Sequence, residues 1–203
     1  MIKEVENFER KELFDNYNSN DNPFVIVTTK IDVTNIVKYC KEHKNFYATF
    51  GYLIATVANE MDAFKYRAKN NKIYYCEELI SNYTEMIGNN GIGYFDVKLK
   101  DNYKDYIEEY KRVREDFLNK RYYDTSNELN EIWLSCSPWM TFTSLVPPFS
   151  KENTIPQFIW DKYEENNDKY TIHLMILVHH GFADGSHIGK FVKTLEEKIK
   201  NFK

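Results

Sequence analysis

The stretch YTIHLMILVHH, residues 170–180, constrains this chain more than any other. It is nearly continuous in apolar residues up to the two histidines, and a strand of that kind is covered on both faces. The chain must therefore supply a sheet with protein packed on each side of it. Its companions are β-branched and aromatic runs: FVIVTTKI (24–31), KIYYCE (72–77), YTEMI (83–87), YFDVKL (94–99), EIWLSCS (131–137) and QFIWDKYEE (157–165). GNNGIG (88–93), before YFDVKL, reads as a turn of residues that tolerate positive φ. Helical periodicity falls on 8–17, on 32–43 with Asp32 as cap, on 101–124 and on 185–202, and NFYATFGYLIATVANEM (45–61) is apolar nearly all round, as a buried helix should be. The expected architecture is α/β: a two-layer sandwich, a mixed β-sheet with helices packed on it. No repeat, low-complexity tract or Gly/Ser linker divides the chain, so residues 1–203 are expected to form one domain.

Composition narrows the function classes. Sixteen Tyr and 14 Phe in 203 residues argue against disorder, and a formal net charge of −4 leaves no basic excess to neutralise phosphate backbones or anionic lipid. Neither nucleic acid nor a membrane is expected as partner. Cys40, Cys76 and Cys136 are odd in number and far apart, with no CxxC pair, which fits a reducing compartment. The N-terminus MIKEVENFERKELFDNY carries charges throughout and lacks a signal-peptide h-region, and no apolar run approaches the length of a bilayer span. A cytoplasmic location is the expectation.

The chemistry gathers where the apolar strand ends, at LVHHGFADGSH (177–187). Metal binding is the weak reading of His179, His180, Asp184 and His187. Neighbouring residues at a strand end point to opposite faces, and the spacing matches no zinc pattern of known geometry. His179 and His187 read as structural. His180 is the candidate base, because a strand end followed by a glycine-containing turn exposes a side chain to a cleft while its backbone stays fixed. A base of this kind contributes roughly 10²–10⁴-fold in rate, so a partner that stabilises developing negative charge is also expected.

HHGFADG (179–185) resembles the HHxxxDG signature shared by chloramphenicol acetyltransferases, the acyltransferase cores of 2-oxo acid dehydrogenases and the condensation domains of peptide synthetases. RKELFDNY (10–17), KNFYATFGYLIA (44–55) and SCSPWMTFTS (135–144) are similar to the chloramphenicol acetyltransferases in particular, in order as well as in content. The resemblance implies a coenzyme A-dependent acyltransferase fold and direct transfer of acetyl from acetyl-CoA to a hydroxyl, with no metal. On chloramphenicol that activity would confer antibiotic resistance. His180 would be the general base, its ring held by a bond to its own carbonyl, and Ser135 would support the oxyanion. Asp184 would pair with Arg10 rather than relay charge. Trp139 and Tyr163 would lie along the coenzyme tunnel, and Tyr17, Phe24, Val25 and Phe95 near the acceptor. The resemblance further implies a homotrimer, one subunit giving the base and its neighbour much of the acceptor pocket.

Three features depart from the family pattern. NSNDNP (18–23), with Asp21, is polar where relatives present apolar groups to the antibiotic; Ile159 stands where a threonine is common; and LVPPF follows FTS in place of an asparagine-containing segment. None touches His180, Ser135, Asp184 or Arg10. They leave open an acetyltransferase of the same fold with another small hydroxylated acceptor, and a homologue that sequesters a ligand without turnover.

Overall fold

The computed structural model describes residues 1–88, 91–120 and 128–203, with the backbone alone at Lys120. Its main sheet is built around β10 (Lys169–His179), whose apolar run pairs antiparallel with β2 (Phe24–Asp32) on one side and β8 (Gln157–Asp161) on the other. Beyond β8 come β7 (Glu131–Ser137), β5 (Ile80–Ile87) and β6 (Gly91–Lys98), in the order β2-β10-β8-β7-β5-β6. β9 (Glu164–Asn166) adds a short pair to β10, so QFIWDKYEE is two strands rather than one. The pairs β5–β7 and β7–β8 are parallel and the rest antiparallel, which makes the sheet mixed, as expected.

Helices cover one face. α3 (Phe46–Asn59) lies in the core with Phe50, Ile54, Ala55, Val57 and Ala58 fully buried. Its Gly51 admits the Tyr83 hydroxyl, which would stand 2.1 Å from a Cβ at that position. α4 (Tyr103–Lys120) buries Tyr106, Ile107, Tyr110 and Phe117, and α5 (Gly185–Asn201) buries Ile188, Phe191, Leu195 and Ile199 at the spacing of one helical stripe. α2 (Thr34–His43) completes the layer. Its N-cap is Val33, so the expectation for Asp32 shifts by one residue: from the preceding position, its carboxylate accepts the Thr34 N–H at 2.9 Å.

The other face explains why β10 is apolar on both sides. A parallel pair needs a crossover, and the one from β7 to β8 runs as an irregular segment, 138–156, across the face away from the helices. Phe142 and Leu145 from it pack on Phe24, Met175, Leu177 and Ile159. Alternate β10 residues, Ile172, Leu174, Ile176 and Val178, face the helical core. Burying each such side chain contributes about 1.5–3 kcal/mol.

KIYYCE is a strand, but not a rib of this sheet. As β4 (Lys72–Cys76) it pairs with β3 (Tyr66–Lys69) and β1 (Ile2–Glu4) in a separate three-stranded sheet. With α1 (Lys11–Asn18) this small sheet forms a satellite core of Phe8, Phe14, Ile73 and Phe182, against the turn that leaves β10. Asn89 and Asn90 of the GNNGIG turn, and residues 121–124 of the expected long helix, lie outside the described residues.

Candidate active site

β10 delivers its two histidines to different environments. His179 is 1 % exposed, packed among Phe14, Phe24 and Phe182. Its Nδ1 accepts the Gly181 N–H at 3.1 Å. Burial, with a smaller contribution from His180, pushes its pKa down to about 4, so it is a neutral core residue at physiological pH. This agrees with its reading as structural.

His180 sits in the turn, its backbone N–H bonded to the Pro23 carbonyl at 2.8 Å. The ring lies face to face with Tyr17, centroids 4.1 Å apart at 14°. Nδ1 is buried with no hydrogen-bond partner, whereas Nε2 is not buried. The bond from the ring to its own carbonyl, implied by the resemblance, is not among the hydrogen bonds of this structure; stacking on Tyr17 fixes the ring plane instead. Gly181 makes this possible, since a Cβ there would stand 2.6 Å from the Cα of Phe14 and push α1 away.

A polar network ties the N-terminal segment to the turn. Arg10 donates to Asp184 Oδ2 at 3.0 Å and to the Phe182 carbonyl at 3.3 Å. Asp184 is the N-cap of α5, and its Oδ1 accepts from the Ser186 hydroxyl at 2.6 Å and the Ser186 and His187 backbone N–H groups at 3.0 and 3.4 Å. His187 Nδ1 lies 2.8 Å from the same oxygen and 3.3 Å from the Asp184 backbone N–H, which closes a capping box. The Ser186 hydroxyl first, and then His187, hold the Asp184 carboxyl well below the usual carboxylate range. The Arg10–Asp184 pair expected from the resemblance is thus present, and His187 joins it.

Ser135 lies elsewhere. It projects from β7 on the face away from the helices, level with Ile159 of β8, which is level with Met175 of β10. No hydrogen bond occupies its hydroxyl among the described residues. From Ser135 to His180 is five residues along the ladder and two strands across. At ~3.3 Å per residue and ~4.8 Å per strand the Cα atoms are about 20 Å apart. The two side chains of one chain cannot meet on a single reacting group. Cys136 beside Ser135 is no nucleophile, since burial pushes its thiol up to about 12.

The remaining expectations divide. Phe24 edges onto His179, and Val25 lies opposite Val178 against the helical core, so both stand beside the His180 turn with Tyr17. Phe95 does not. It is 4 % exposed, stacked on Tyr83 and packed against Tyr110 and Phe117 beneath α4, because β6 turns that residue to the helical side. Trp139 is 68 % exposed just past β7, and Tyr163 is partly exposed after β8, edge-on to Phe46 and Tyr170. Sequence reasoning missed Asp161, buried, and His173, partly buried, a pair on the Ser135 face; the only signal was one charged and one ionisable residue set among the apolar residues of two strands. Among the described residues no group of three or more His, Cys, Asp or Glu could hold a metal ion, and no helix is long and apolar enough to cross a membrane.

Residues 2–196 match the family model for chloramphenicol acetyltransferase. Relatives of that name from Proteus mirabilis and Clostridium perfringens are 25 % and 28 % identical, over 97 % and 96 % of this chain and 93 % and 95 % of their own lengths. A solved chloramphenicol acetyltransferase superposes with a TM-score of 0.85 at 22 % identity, covering 98 % of this chain and all of that one. The catalytic core of a 2-oxoacid dehydrogenase multienzyme complex from Thermoplasma acidophilum has the same fold, with a TM-score of 0.67 at 12 % identity over 97 % of each chain.

Proposed function

This chain belongs to the chloramphenicol acetyltransferase family, and from that premise we propose that it transfers acetyl from acetyl-CoA to a hydroxyl of chloramphenicol, so protecting a cell from the antibiotic. His180 Nε2 takes the proton of the acceptor hydroxyl as its oxygen attacks the thioester carbonyl. The Ser135 hydroxyl donates to the resulting oxyanion, a contact worth about 3–4 kcal/mol in the transition state. The intermediate collapses to the acetyl ester, and the departing thiolate recovers the proton from the imidazolium. Protons balance, and no acyl-enzyme forms.

The observation that carries this reading is the asymmetry of His180. One ring nitrogen is buried, the other is open, and an aromatic stack holds the ring plane. Since the neutral base needs Nε2 free, its proton resides on Nδ1, where a buried donor without a partner costs about 1–3 kcal/mol. What distinguishes His180 is its free second nitrogen: in His179, whose Nε2 is likewise buried without a partner, Nδ1 is taken by the Gly181 N–H.

The separation of Ser135 from His180 supports a second part of the proposal: a homotrimer of single-domain chains in which each site takes its base from one copy and its oxyanion donor from the next. Tyr17, Phe24 and Val25 then belong to the base-bearing wall of the acceptor pocket, and Trp139 and Tyr163 to the coenzyme passage. The soluble pool of a cell's acetyl-CoA makes the cytoplasm its place of work.

The test is steady-state turnover of acetyl-CoA with chloramphenicol, followed by free thiol and by chromatography of the product. Acetylated chloramphenicol that disappears with His180→Ala is the expected result. Thiol release with other hydroxylated acceptors but none with chloramphenicol would reassign the substrate, and stoichiometric binding without turnover would make the protein a ligand trap.

A further inference from the structure

Asp161, the last residue of β8, is a carboxylate with no exposed side-chain surface. A charge removed from water is costly unless donors replace the lost hydration. Three do so here. Oδ1 accepts the backbone N–H of His173 at 2.7 Å; Oδ2 accepts the backbone N–H of Phe142 at 3.1 Å and lies 2.8 Å from His173 Nδ1, which therefore carries a proton. Two of the donors come from β10. The third comes from the irregular segment that follows Ser135, and a further bond, Lys162 N–H to the Met140 carbonyl at 3.3 Å, ties the same segment to the chain just past Asp161.

The sequence positions give this arrangement its meaning. Trp139 directly precedes Met140, and Tyr163 directly follows Lys162. Both aromatic residues assigned to the coenzyme passage thus hang from backbone that the carboxylate holds. Trp139 has no such support of its own, being largely exposed.

We propose that Asp161 and His173 form a latch that positions the coenzyme passage, fixing the Met140–Phe142 backbone to the end of β8 so that Trp139 and Tyr163 keep the spacing acetyl-CoA requires. The imidazole is the removable part of the latch. Without its Nδ1–H, the buried carboxylate loses one of three donors and its hold on the Phe142 N–H loosens. These are positioning residues, acting on coenzyme affinity through the segment rather than on the reacting atoms.

The inference rests on the proposed coenzyme passage, so Trp139→Ala is measured beside the latch variants His173→Leu, which removes the donor, and His173→Asn, which supplies an amide N–H near the place of Nδ1–H. The readouts are acetyl-CoA KM and kcat, coenzyme A binding by calorimetry, and hydrogen exchange across 138–145 without ligand. In His173→Leu, loss of a charge-assisted bond should raise the acetyl-CoA KM about tenfold, with kcat within about threefold, and speed exchange at the Phe142 amide about tenfold; His173→Asn should stay within about threefold of the unaltered protein. Unchanged KM and exchange in a folded His173→Leu, equal loss in both variants, or loss confined to kcat would overturn the latch. If neither His173 variant folds, the pair serves the fold alone and the proposal falls. If Trp139→Ala binds coenzyme A normally, the passage itself is wrong and the latch falls with it; if Trp139→Ala weakens binding and His173→Leu does not, the latch alone is refuted.

Discussion

Co-assembly of His180→Ala with Ser135→Ala should restore activity that neither variant has by itself. The reason is distance. Ladder register separates the two positions by five residues along the strands and two strands across, about 20 Å between Cα atoms. The side chains together span about 7 Å, so a reacting group in contact with both must lie between two copies. In the proposed ring of three, each junction pairs His180 of one copy with Ser135 of the next. A mixed ring, whatever its ratio, contains one junction where an intact histidine meets an intact serine, and two dead ones. Mixed rings should therefore work at about one third of the unaltered rate. The single variants fall by roughly 10²–10⁴-fold for the base and 10²–10³-fold for the oxyanion donor, far below that third. The assay co-expresses the two chains with different affinity tags, purifies on both tags in turn, and follows thiol release from acetyl-CoA with chloramphenicol. Doubly purified rings no more active than the separate variants would refute the reasoning, because they would mean that both groups act within one chain.

The turn and its supports yield three more outcomes. Asp184→Ala removes the α5 cap, about 1 kcal/mol, and a half-buried pair with Arg10 worth about as much, which for a chain of this size lowers Tm by about 4–8 °C; Asp184→Asn keeps a capping oxygen and should lose about half of that, whereas equal losses would deny the cap its role. His179 stays neutral in the folded state down to about pH 4 while its unfolded counterpart titrates near 6.5, so the unfolded chain binds more protons in between and stability falls as pH drops through that window, by up to roughly 3 kcal/mol. Urea melts at pH 7 and pH 5 should show a smaller difference in His179→Leu, and an unchanged difference would reject the assignment. Gly181→Ala puts a methyl 2.6 Å from the Phe14 Cα, displacing the helix that carries Tyr17, so stability should drop by about 1–3 kcal/mol and kcat with it; a variant normal in both would show that the close approach is not needed.

The sheet was legible because its signal is periodic. β10 announces its two covered faces through the residues of 170–178, and α3 its burial through apolar residues all round. The three-stranded sheet was not legible, since β1, IKE, is three exposed residues, and nothing in KIYYCE says which sheet it joins. Phe95 shows the same limit at the site. Period-two alternation makes it one-sided, but only register with β5 decides that its side is the helical one. Asp161 and His173 lie 12 residues apart, and their contact depends on an antiparallel register fixed elsewhere in the sheet. The motif around His180 fared best, because a strand end, a glycine and a helix cap are all local.

These placements divide the chemistry between two unlike supports. His180, the proposed base, is held by residues from the N-terminal segment, through the Tyr17 stack, the Pro23 carbonyl and the Arg10 bonds to Asp184 and Phe182, all at one end of β10. Ser135, the proposed oxyanion donor, is held by the middle of the sheet, with parallel neighbours on both sides and the Asp161–His173 pair at its flank. Each half is rigid for its own reasons, and neither constrains the other within one chain. On the proposed trimer, their relative position to within a few tenths of an ångström, which general base catalysis and oxyanion stabilisation both demand, comes from the packing of one copy on the next. It follows that substitutions on the contacting surface should lower kcat in proportion to the looseness they introduce while leaving the stability of the single chain nearly unchanged. Substitutions at Gly181 or Arg10 should lower both together.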